Sequence, residues 1–355
     1  MKIALVHDYL KEAGGAERVL RVLADMYPKA PIYTAFADRH GTAAAMFPNR
    51  KIIESPWAWF LKMGRFYSYF RFLLPLIWQS VDLSQYDVVV TSCSGYIARG
   101  FRVGKHTKVI AYCHTPPRWL YGYDTPTEAQ KKWWGRVFMW VVGPFMRYFD
   151  YRSAQRVDVW IANSKEVAGR IRKFYRKEAR VVYPPVEVRS QSSDHLGSDY
   201  YLIVSRVVGG KGIGEAVAAF KKLGVKLKIV GEAIDQNLGK NVECVGRVSD
   251  EELVTLYGEA KGFVALARDE DFGMTVVESM LCGTPVLAYR GGGYLETVKP
   301  GITGVLIQDT DPKSVAAGIE KMERADWDRK EIRGWAARFS RENFEKQMRK
   351  IIEDV

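Results

Sequence analysis

Two glutamates in the C-terminal half have a spacing that could recognise a ligand with both hydroxyl and anionic groups. Seven residues separate Glu270 from Glu278, and they lead from a loop into a predicted helix. Gly273 lets the backbone approach a ligand closely, and the first N–H groups of the helix, at Met274 and Thr275, form an anion site. The segment therefore predicts a clamp that holds a phosphate between two carboxylates, each of which accepts from hydroxyl groups.

The residues on either side of this clamp predict the elements that position it. A strand over 262–267 precedes it, and the helix runs to about Cys282, where Gly-Thr-Pro at 283–285 stops it. A second short strand follows at 285–288. A helix between two such strands forms a βαβ unit, and ligands bind at its loop-to-helix end. Without these flanks, the two glutamates would be ordinary surface charge.

A second group of candidate residues follows the strand predicted at 201–204. Arg206 and Lys211 stand in a turn that is rich in glycine. Arginine binds a phosphate through a bidentate fork and lysine through a point charge, and this turn is where such a fold binds ligands. We therefore expect Arg206 and Lys211 to bind a phosphate group of a ligand.

These motifs resemble, in order and spacing, those of retaining glycosyltransferases of the GT-B fold, and of glycosyltransferase family 4 in particular. The shared features are the Glu-(seven residues)-Glu signature, the 206–211 turn, the 246–253 loop and the 14–17 glycine loop, and they extend over nearly the whole chain. The resemblance implies an α/β fold of two doubly wound Rossmann-like domains that face each other across a cleft. It also implies an enzyme that transfers a sugar from a nucleotide-sugar donor and retains its anomeric configuration.

The expected donor rests on two shorter segments. Residues 114–118 (His-Thr-Pro-Pro-Arg) and 182–186 (Val-Tyr-Pro-Pro-Val) are most similar to mannosyltransferases that use GDP-mannose. GDP-mannose is therefore the expected donor, with a UDP-sugar as the alternative, and no other cofactor is expected. Because basic side chains and a helix N-terminus can neutralise a diphosphate, no metal is expected either.

The resemblance also suggests a role for each candidate residue. Glu270 is expected to bind hydroxyls of the donor sugar, Glu278 the ribose, and His114 the sugar from the N-terminal domain. The leaving phosphate is expected to deprotonate the acceptor, so that no strong enzymatic base is required. The expected catalytic residues are His114, Arg206, Lys211 and Glu270, and the expected substrate-binding residues are Asp8, Gly14, Gly15, Arg118, Arg247, Val248, Phe272, Gly273, Met274, Thr275 and Glu278.

Alternating strands and helices predict a parallel sheet with helices on both faces in each half of the chain. The polar stretch 186–199 is the predicted linker, so we expect an acceptor-binding domain at 1–188 and a nucleotide-sugar-binding domain at 189–355. One last helix is predicted over about 335–352. In the resembling fold, such a helix packs back onto the N-terminal domain.

The net charge of +12 comes from the first half of the chain. Residues 1–188 contain 29 Lys and Arg against 15 Asp and Glu, whereas residues 189–355 contain 24 against 26. Within the first half, residues 55–80 and 131–156 combine many aromatic and basic residues with at most one acidic residue, as helices at membrane surfaces do. We expect contact with an anionic membrane and a lipid-linked or membrane-associated glycan acceptor. Ordinary core-facing helices with basic outer faces would have the same composition.

Other classes of protein fit the composition less well. No apolar run reaches the roughly 18 residues of a membrane-spanning helix, and the first residues resemble a strand more than a signal peptide, so a cytoplasmic, peripheral membrane location is expected. The basic aromatic half would also suit a single-stranded nucleic-acid binder. A non-catalytic nucleotide-sugar-binding protein and a sugar-nucleotide epimerase are further alternatives. The complete set of candidate residues favours an enzyme.

Overall fold

The structure is a computed structural model that describes residues 1–62, 69–123, 133–188, 199–205, 211–231 and 238–355. The described part of the chain forms two compact units, each with its own sheet. The first unit contains the described residues of 1–185 together with 341–355, and the second contains those of 186–340. The division therefore lies close to the predicted boundary at 188, and the C-terminal residues belong to the first unit.

The first unit is built on a seven-stranded sheet in the order β3-β2-β1-β4-β5-β6-β7. All neighbouring strands in this sheet are parallel. The strands are β1 (Ile3–His7), β2 (Ile32–Thr34), β3 (Ile52–Glu54), β4 (Val88–Cys93), β5 (Lys108–Cys113), β6 (Val159–Ala162) and β7 (Arg180–Val181).

Both faces of this sheet are covered by apolar side chains. Val89 in β4 and Ala111 in β5 belong to one buried cluster, whereas Val90 and Ile110 belong to another. Successive residues of a strand point to opposite faces, so the two clusters lie on the two sides of the sheet. This explains why the central strands are apolar runs without alternation, as is usual for parallel sheets.

In the described part of the first unit, six helices connect these strands. The long helix α5 is the one that carries the second aromatic and basic segment. None of the helices that the structure describes is long and apolar enough to cross a membrane. The six are α1 (Gly15–Met26), α2 (Ala58–Lys62), α3 (Leu74–Gln79), α4 (Arg118–Tyr121), α5 (Trp133–Ala154) and α6 (Lys165–Tyr175), and 3-10 turns lie at Ala44–Met46 and Tyr69–Leu73.

A buried polar network holds α5 in the first unit. Asp150 in α5 is fully buried and forms an ion pair with the buried guanidinium of Arg99. The hydroxyls of Tyr121 and Tyr175 donate to the same carboxylate at 2.7 and 3.3 Å. Burial raises the pKa of Asp150, and the charge of Arg99 opposes that rise. Because breaking a buried pair costs about 3–5 kcal/mol, this network fixes the position of α5.

The second unit repeats the architecture with a six-stranded parallel sheet in the order β10-β9-β8-β11-β12-β13. Its strands are β8 (Tyr200–Val204), β9 (Lys226–Val230), β10 (Val242–Gly246), β11 (Gly262–Ala265), β12 (Val286–Tyr289) and β13 (Gly304–Ile307). Its helices are α7 (Ile213–Leu223), α8 (Asp250–Glu259), α9 (Met274–Leu281), α10 (Tyr294–Thr297), α11 (Pro312–Arg324) and α12 (Arg329–Ala336). The predicted α/β class with two doubly wound domains is thereby confirmed.

The single helix predicted over about 335–352 is wrong. Helix α12 ends at Ala336, a 3-10 turn follows at Ala337–Phe339, and α13 covers Arg341–Glu353. The cause is Ser340, whose extended backbone (φ −67°, ψ 157°) cannot continue a helix. Helix α13 belongs to the first unit, where the ring of Phe344 lies 5.7 Å from that of Tyr112.

Each sheet contains one point at which the order of its strands reverses. In the first unit the chain runs outward from β1 to β3 and then starts again on the other side of β1 with β4. In the second unit the same reversal lies between β8 and β11. In open parallel sheets, ligands bind in the crevice outside the carboxyl ends of the strands at such a switch point. The loops after these four strands are therefore where a site is expected.

Candidate active site

The loop before α9 is fixed by close contact with a second glycine-containing loop. Gly273 has a positive φ of 89° and starts α9. A Cβ atom at Gly292 would lie 2.4 Å from the carbonyl oxygen of Glu270, and one at Gly293 would lie 2.4 Å from the Cα of Phe272. The N–H of Gly293 also donates to the carbonyl of Glu270 at 2.9 Å. Only glycine fits at these two positions, and the contact holds the backbone of Glu270 beside α9.

Lys211 and Glu270 form an ion pair in the crevice of the second sheet. The Nζ of Lys211 lies 2.7 Å from Oε2 of Glu270, and both side chains are partly exposed. Lys211 follows β8 and Glu270 follows β11, so the pair spans the switch point. Gly212 brings the two loops together, because a Cβ there would lie 2.5 Å from the Cβ of Leu266. The structure thus brings together a cation and a carboxylate from separate predicted motifs.

The second glutamate of the clamp is buried and oriented by a tyrosine. Glu278 is 5% exposed in α9, and the hydroxyl of Tyr257 in α8 donates to its Oε2 at 2.9 Å. The first intrahelical bond of α9 runs from the N–H of Val276 to Gly273. The N–H groups of Met274 and Thr275 precede that bond, as the predicted anion site requires.

The remaining expected residues of the second unit lie in different settings. Arg206 lies outside the described residues. Arg247 is exposed and Val248 is half-buried, directly after β10. The ring of Phe272 is buried and lies 5.3 Å from the ring of Phe339, so this side chain has a packing role. Among the residues that the structure describes, no group of three or more His, Cys, Asp or Glu is arranged to hold a metal ion.

Three neighbouring strands of the first unit bring polar side chains together at their carboxyl ends. The Oγ of Ser92 in β4 lies 3.0 Å from Nδ1 of His7 and 2.8 Å from Nε2 of His114. Glu17, in the first turn of α1, lies 3.4 Å from Nε2 of His7. The same glutamate accepts from the N–H of Gly14 at 3.0 Å. His114 is therefore connected to the start of α1 through Ser92, His7 and Glu17.

The directions of these hydrogen bonds depend on one another. Although burial opposes ionisation of Glu17, its hydrogen bond with His7 lowers its pKa. An ionised carboxylate only accepts, so Nε2 of His7 carries a proton. The hydroxyl of Ser92, which has a single proton to donate, lies between Nδ1 of His7 and Nε2 of His114, so the two ring nitrogens cannot both accept from it.

The charge of His114 follows from its surroundings. Burial, together with the charge of His7, lowers the pKa of His114 from 6.5 to about 3. Its imidazole is therefore neutral at neutral pH, and it can accept or donate hydrogen bonds without carrying a charge.

The carboxylate of Asp8, which was predicted to bind substrate, accepts four hydrogen bonds from the loop after β4. Its carboxylate is 3% exposed and accepts from the N–H groups of Ser94, Tyr96 and Ala98 at 2.9 to 3.0 Å, and from the hydroxyl of Ser94 at 2.9 Å. Burial raises its pKa against the effect of these bonds. The geometry gives Asp8 a structural role, which is to hold the loop after β4. Its contact with substrate stays a prediction.

The other expected residues of the first unit start helices. Gly14 caps α1 and Gly15 is its first residue. Arg118 is half-buried and begins α4, directly after Pro117. These positions agree with loops at the carboxyl ends of β1 and β5, where ligands bind in such sheets.

Sequence reasoning missed the roles of Glu17, Ser92 and Tyr257. Ser92 could have been noticed, because it is a polar residue close to the end of an apolar strand. Glu17 stands three residues after the cap Gly14, at the position of a capping-box glutamate. Tyr257 carries no such signal, since its contact with Glu278 depends on how two helices pack.

Two family models match the chain in succession. The model described as Glycosyltransferase Family 4 matches residues 13–190, about half of the chain. The model described as Glycosyl transferases group 1 matches residues 187–338. The matched ranges correspond closely to the two structural units.

Individual relatives are more distant. An uncharacterized glycosyltransferase of Methanocaldococcus jannaschii is 27% identical over 224 residues, which are 59% of this chain and 63% of the relative, less than two thirds of its length. The capsular polysaccharide biosynthesis glycosyltransferase CapM of Staphylococcus aureus is 30% identical over 145 residues, or 36% of this chain and 38% of CapM. The crystal structure of Anabaena HepE in complex with UDP and glucose matches with a TM-score of 0.72 at 18% identity, over 100% of both chains. This likeness shows the GT-B fold.

Acidification should test the neutral state assigned to His114. Below about pH 6.5 the unfolded chain binds one more proton at this residue than the folded chain does, so the free energy of unfolding falls as the pH decreases towards 3. Between about pH 7.5 and 5.0, His114 should account for a loss of about 2 kcal/mol. Urea unfolding at both pH values should therefore show a smaller loss for His114→Gln than for the wild type.

The matched control is His106→Gln, at an exposed histidine of the same unit. It should keep the acid sensitivity of the wild type. An unchanged pH dependence in His114→Gln would show that His114 is not held neutral.

A second prediction concerns Tyr257. If Glu278 binds the donor, Glu278→Ala should weaken donor binding about 10- to 100-fold, because charge-assisted bonds are lost. Tyr257→Phe removes only the hydroxyl that orients Glu278 and should weaken binding about 2- to 10-fold. The control is Tyr201→Phe, which removes a 2.8 Å bond to Glu323 elsewhere in the same unit. In calorimetric titration, this control should bind the donor with the affinity of the wild type. Equal losses of affinity in Tyr257→Phe and Tyr201→Phe would contradict the prediction.

Proposed function

Because this chain belongs to glycosyltransferase family 4, we propose that it is a retaining hexosyltransferase that moves mannose from GDP-mannose to a lipid-linked or membrane-associated glycan. The observation that carries the proposal is the Lys211–Glu270 pair at the switch point of the second sheet. The pair places a phosphate-binding cation and a hydroxyl-binding carboxylate in one crevice, beside the N-terminus of α9.

We propose that the donor diphosphate binds Lys211 and replaces Glu270 as the partner of this lysine. Both groups are partly exposed, so a ligand can exchange one partner for another at modest cost. Lys211, Arg206 and the first N–H groups of α9 then face the diphosphate, and they stabilise the charge that develops as it leaves. Glu270, released from Lys211, accepts from hydroxyls of the donor sugar.

The nucleoside is proposed to bind further along the same edge. Glu278 accepts from the ribose hydroxyls, and Tyr257 holds its carboxylate in one orientation for that contact. A buried carboxylate prefers hydrogen-bonded partners, which favours a vicinal diol at this place. Arg247 and Val248 follow β10 and are proposed to contact the base.

The transfer step is proposed to occur on the face of the sugar from which the diphosphate leaves. The bond from the anomeric carbon to the phosphate oxygen breaks, the acceptor oxygen forms the new bond, and the acceptor proton passes to the leaving phosphate. The neutral imidazole of His114 suits a hydrogen bond to the sugar better than it suits proton donation, because its pKa is about 3. No metal is part of this proposal.

A UDP-sugar is the second candidate donor. The Anabaena relative binds UDP and glucose, which favours this alternative, whereas the 114–118 and 182–186 segments favour GDP-mannose. The likeness to a capsular polysaccharide enzyme supports a glycan acceptor. Both donors use the same diphosphate contacts, so the choice depends on the base and the sugar alone.

The proposed donor can be tested by ligand binding without added metal. At a ligand concentration 100 times its Kd, binding stabilises the folded state by about 2.7 kcal/mol. GDP and GDP-mannose should raise the thermal midpoint, and UDP and UDP-glucose should not. The reverse result would replace mannose by a UDP-sugar and keep the fold and the chemistry. No shift with any of the four would contradict the proposed function.

The proposed stabilisation of the leaving diphosphate can be tested at Arg206. Arg206→Ala should lower kcat by roughly 100-fold or more, because a residue that stabilises the developing diphosphate acts mainly in the transition state. The control is Arg324→Ala, at an exposed arginine of the same unit, and its kcat should equal that of the wild type. Turnover close to the wild-type value in Arg206→Ala would remove this residue from the mechanism.

A further inference from the structure

The outward face of α5 is apolar along most of its length. Trp133 is 77% exposed and Trp140 is 80% exposed. These and the other exposed residues recur every three or four positions, which places them in one stripe along the helix. We call this stripe the α5 surface, and it consists of Trp133, Val137, Trp140, Val141, Phe145 and Tyr148.

The opposite face of α5 packs into the core of the first unit. Met146 and Phe149 are buried in the first unit, and Asp150 holds the helix through its ion pair with Arg99. The α5 surface is therefore additional to what folding of the unit requires. Soluble proteins rarely leave a contiguous apolar patch of this kind exposed, and such patches mark contact sites.

Neighbouring elements extend the same patch. The ring of Phe72 is exposed and lies 6.4 Å from that of Phe138 in α5. Ring contacts at 4.7 to 6.4 Å continue from Phe72 through Phe70 and Phe60 to the exposed Trp59 in α2. The apolar surface thus covers parts of two helices and the 3-10 turn at Tyr69–Leu73.

The exposed charges of α5 have one sign. Arg136, Arg147 and Arg152 are exposed along α5. The one acidic residue of this helix, Asp150, is buried in its ion pair. Whatever contacts the α5 surface therefore meets tryptophan, tyrosine and phenylalanine side chains that are bordered by cations.

We infer that the α5 surface docks on an anionic lipid bilayer, with α5 lying in the plane of the interface. Aromatic rings favour the boundary between head groups and acyl chains, and arginines at the edge reach the head-group phosphates. A second copy of this chain fits less well, because both sides of a two-fold interface through α5 would carry the cations of this helix and no exposed anion of it. The inference depends only on the surface of the first unit and not on the donor or the transfer reaction.

Co-sedimentation of the full chain with vesicles tests this inference. The protein should bind vesicles in which about a third of the lipid is phosphatidylglycerol, at least about tenfold more tightly than vesicles of phosphatidylcholine alone. Arg136→Glu should weaken binding to the anionic vesicles by about fivefold or more. The control is Arg324→Glu, at an exposed arginine of the second unit, and it should bind as the wild type does.

The apolar part is tested by the double variant Trp133→Ser and Trp140→Ser. It should lose about tenfold or more in affinity for the anionic vesicles. Leu295→Ser, at an exposed apolar residue of the second unit, should lose none. Because all these side chains are exposed, the variants should keep the thermal midpoint and the nucleotide response of the wild type, which separates failure of docking from failure of the proposed function.

Three results would overturn the inference. The first is equal binding to neutral and anionic vesicles. The second is wild-type affinity in the double tryptophan variant. The third is a dimer in sedimentation equilibrium that Trp140→Ser dissociates, with no binding of the wild type to either vesicle, which would assign the α5 surface to a second copy of the chain.

Discussion

The carboxyl ends of parallel strands lie along a single edge of a sheet, and the candidate site depends on this constraint. Lys211 and Glu270 are 59 residues apart in sequence, yet their side chains meet because they follow the adjacent strands β8 and β11. His7, Ser92 and His114 meet in the first unit for the same reason, since β1, β4 and β5 are neighbours. In open parallel sheets, the reversal of strand order at such a point leaves a crevice at that edge.

Carboxylates divide into two groups by the partners that surround them. Asp8 and Asp150 are buried and accept several hydrogen bonds from within their own unit, so they stabilise the loops and helices that carry other residues. Glu270 is partly exposed and pairs with Lys211, which a ligand could displace. Because breaking a buried pair costs several kcal/mol and breaking an exposed one costs little, Glu270 can exchange Lys211 for a ligand, whereas Asp8 and Asp150 keep their partners.

Sequence patterns predicted the long strands well and the contacts between them poorly. The strand predicted at 201–204 differs from β8 by one residue at its start, because Asp199 and Ser205 flank the apolar run. Strands β3 and β7 were missed, since three and two residues are too few to form a pattern. The Lys211–Glu270 pair follows once the strand order is known. The contact of Tyr257 with Glu278 does not, because it depends on the packing of α8 against α9.

The same polar network connects the α5 surface to the expected acceptor side of the first unit. Tyr121, the last residue of α4, donates to Asp150 in α5, and Arg147 donates to the carbonyl of Leu120 at 3.3 Å. Helix α4 begins at Arg118, four residues after His114, so these bonds extend from the outer helix to the loop beyond β5. A helix attached in this way cannot shift without moving α4. A bilayer that binds the α5 surface would therefore hold His114 and Arg118 at a fixed distance from the lipid, which is the arrangement an enzyme needs when its acceptor is itself anchored in that bilayer.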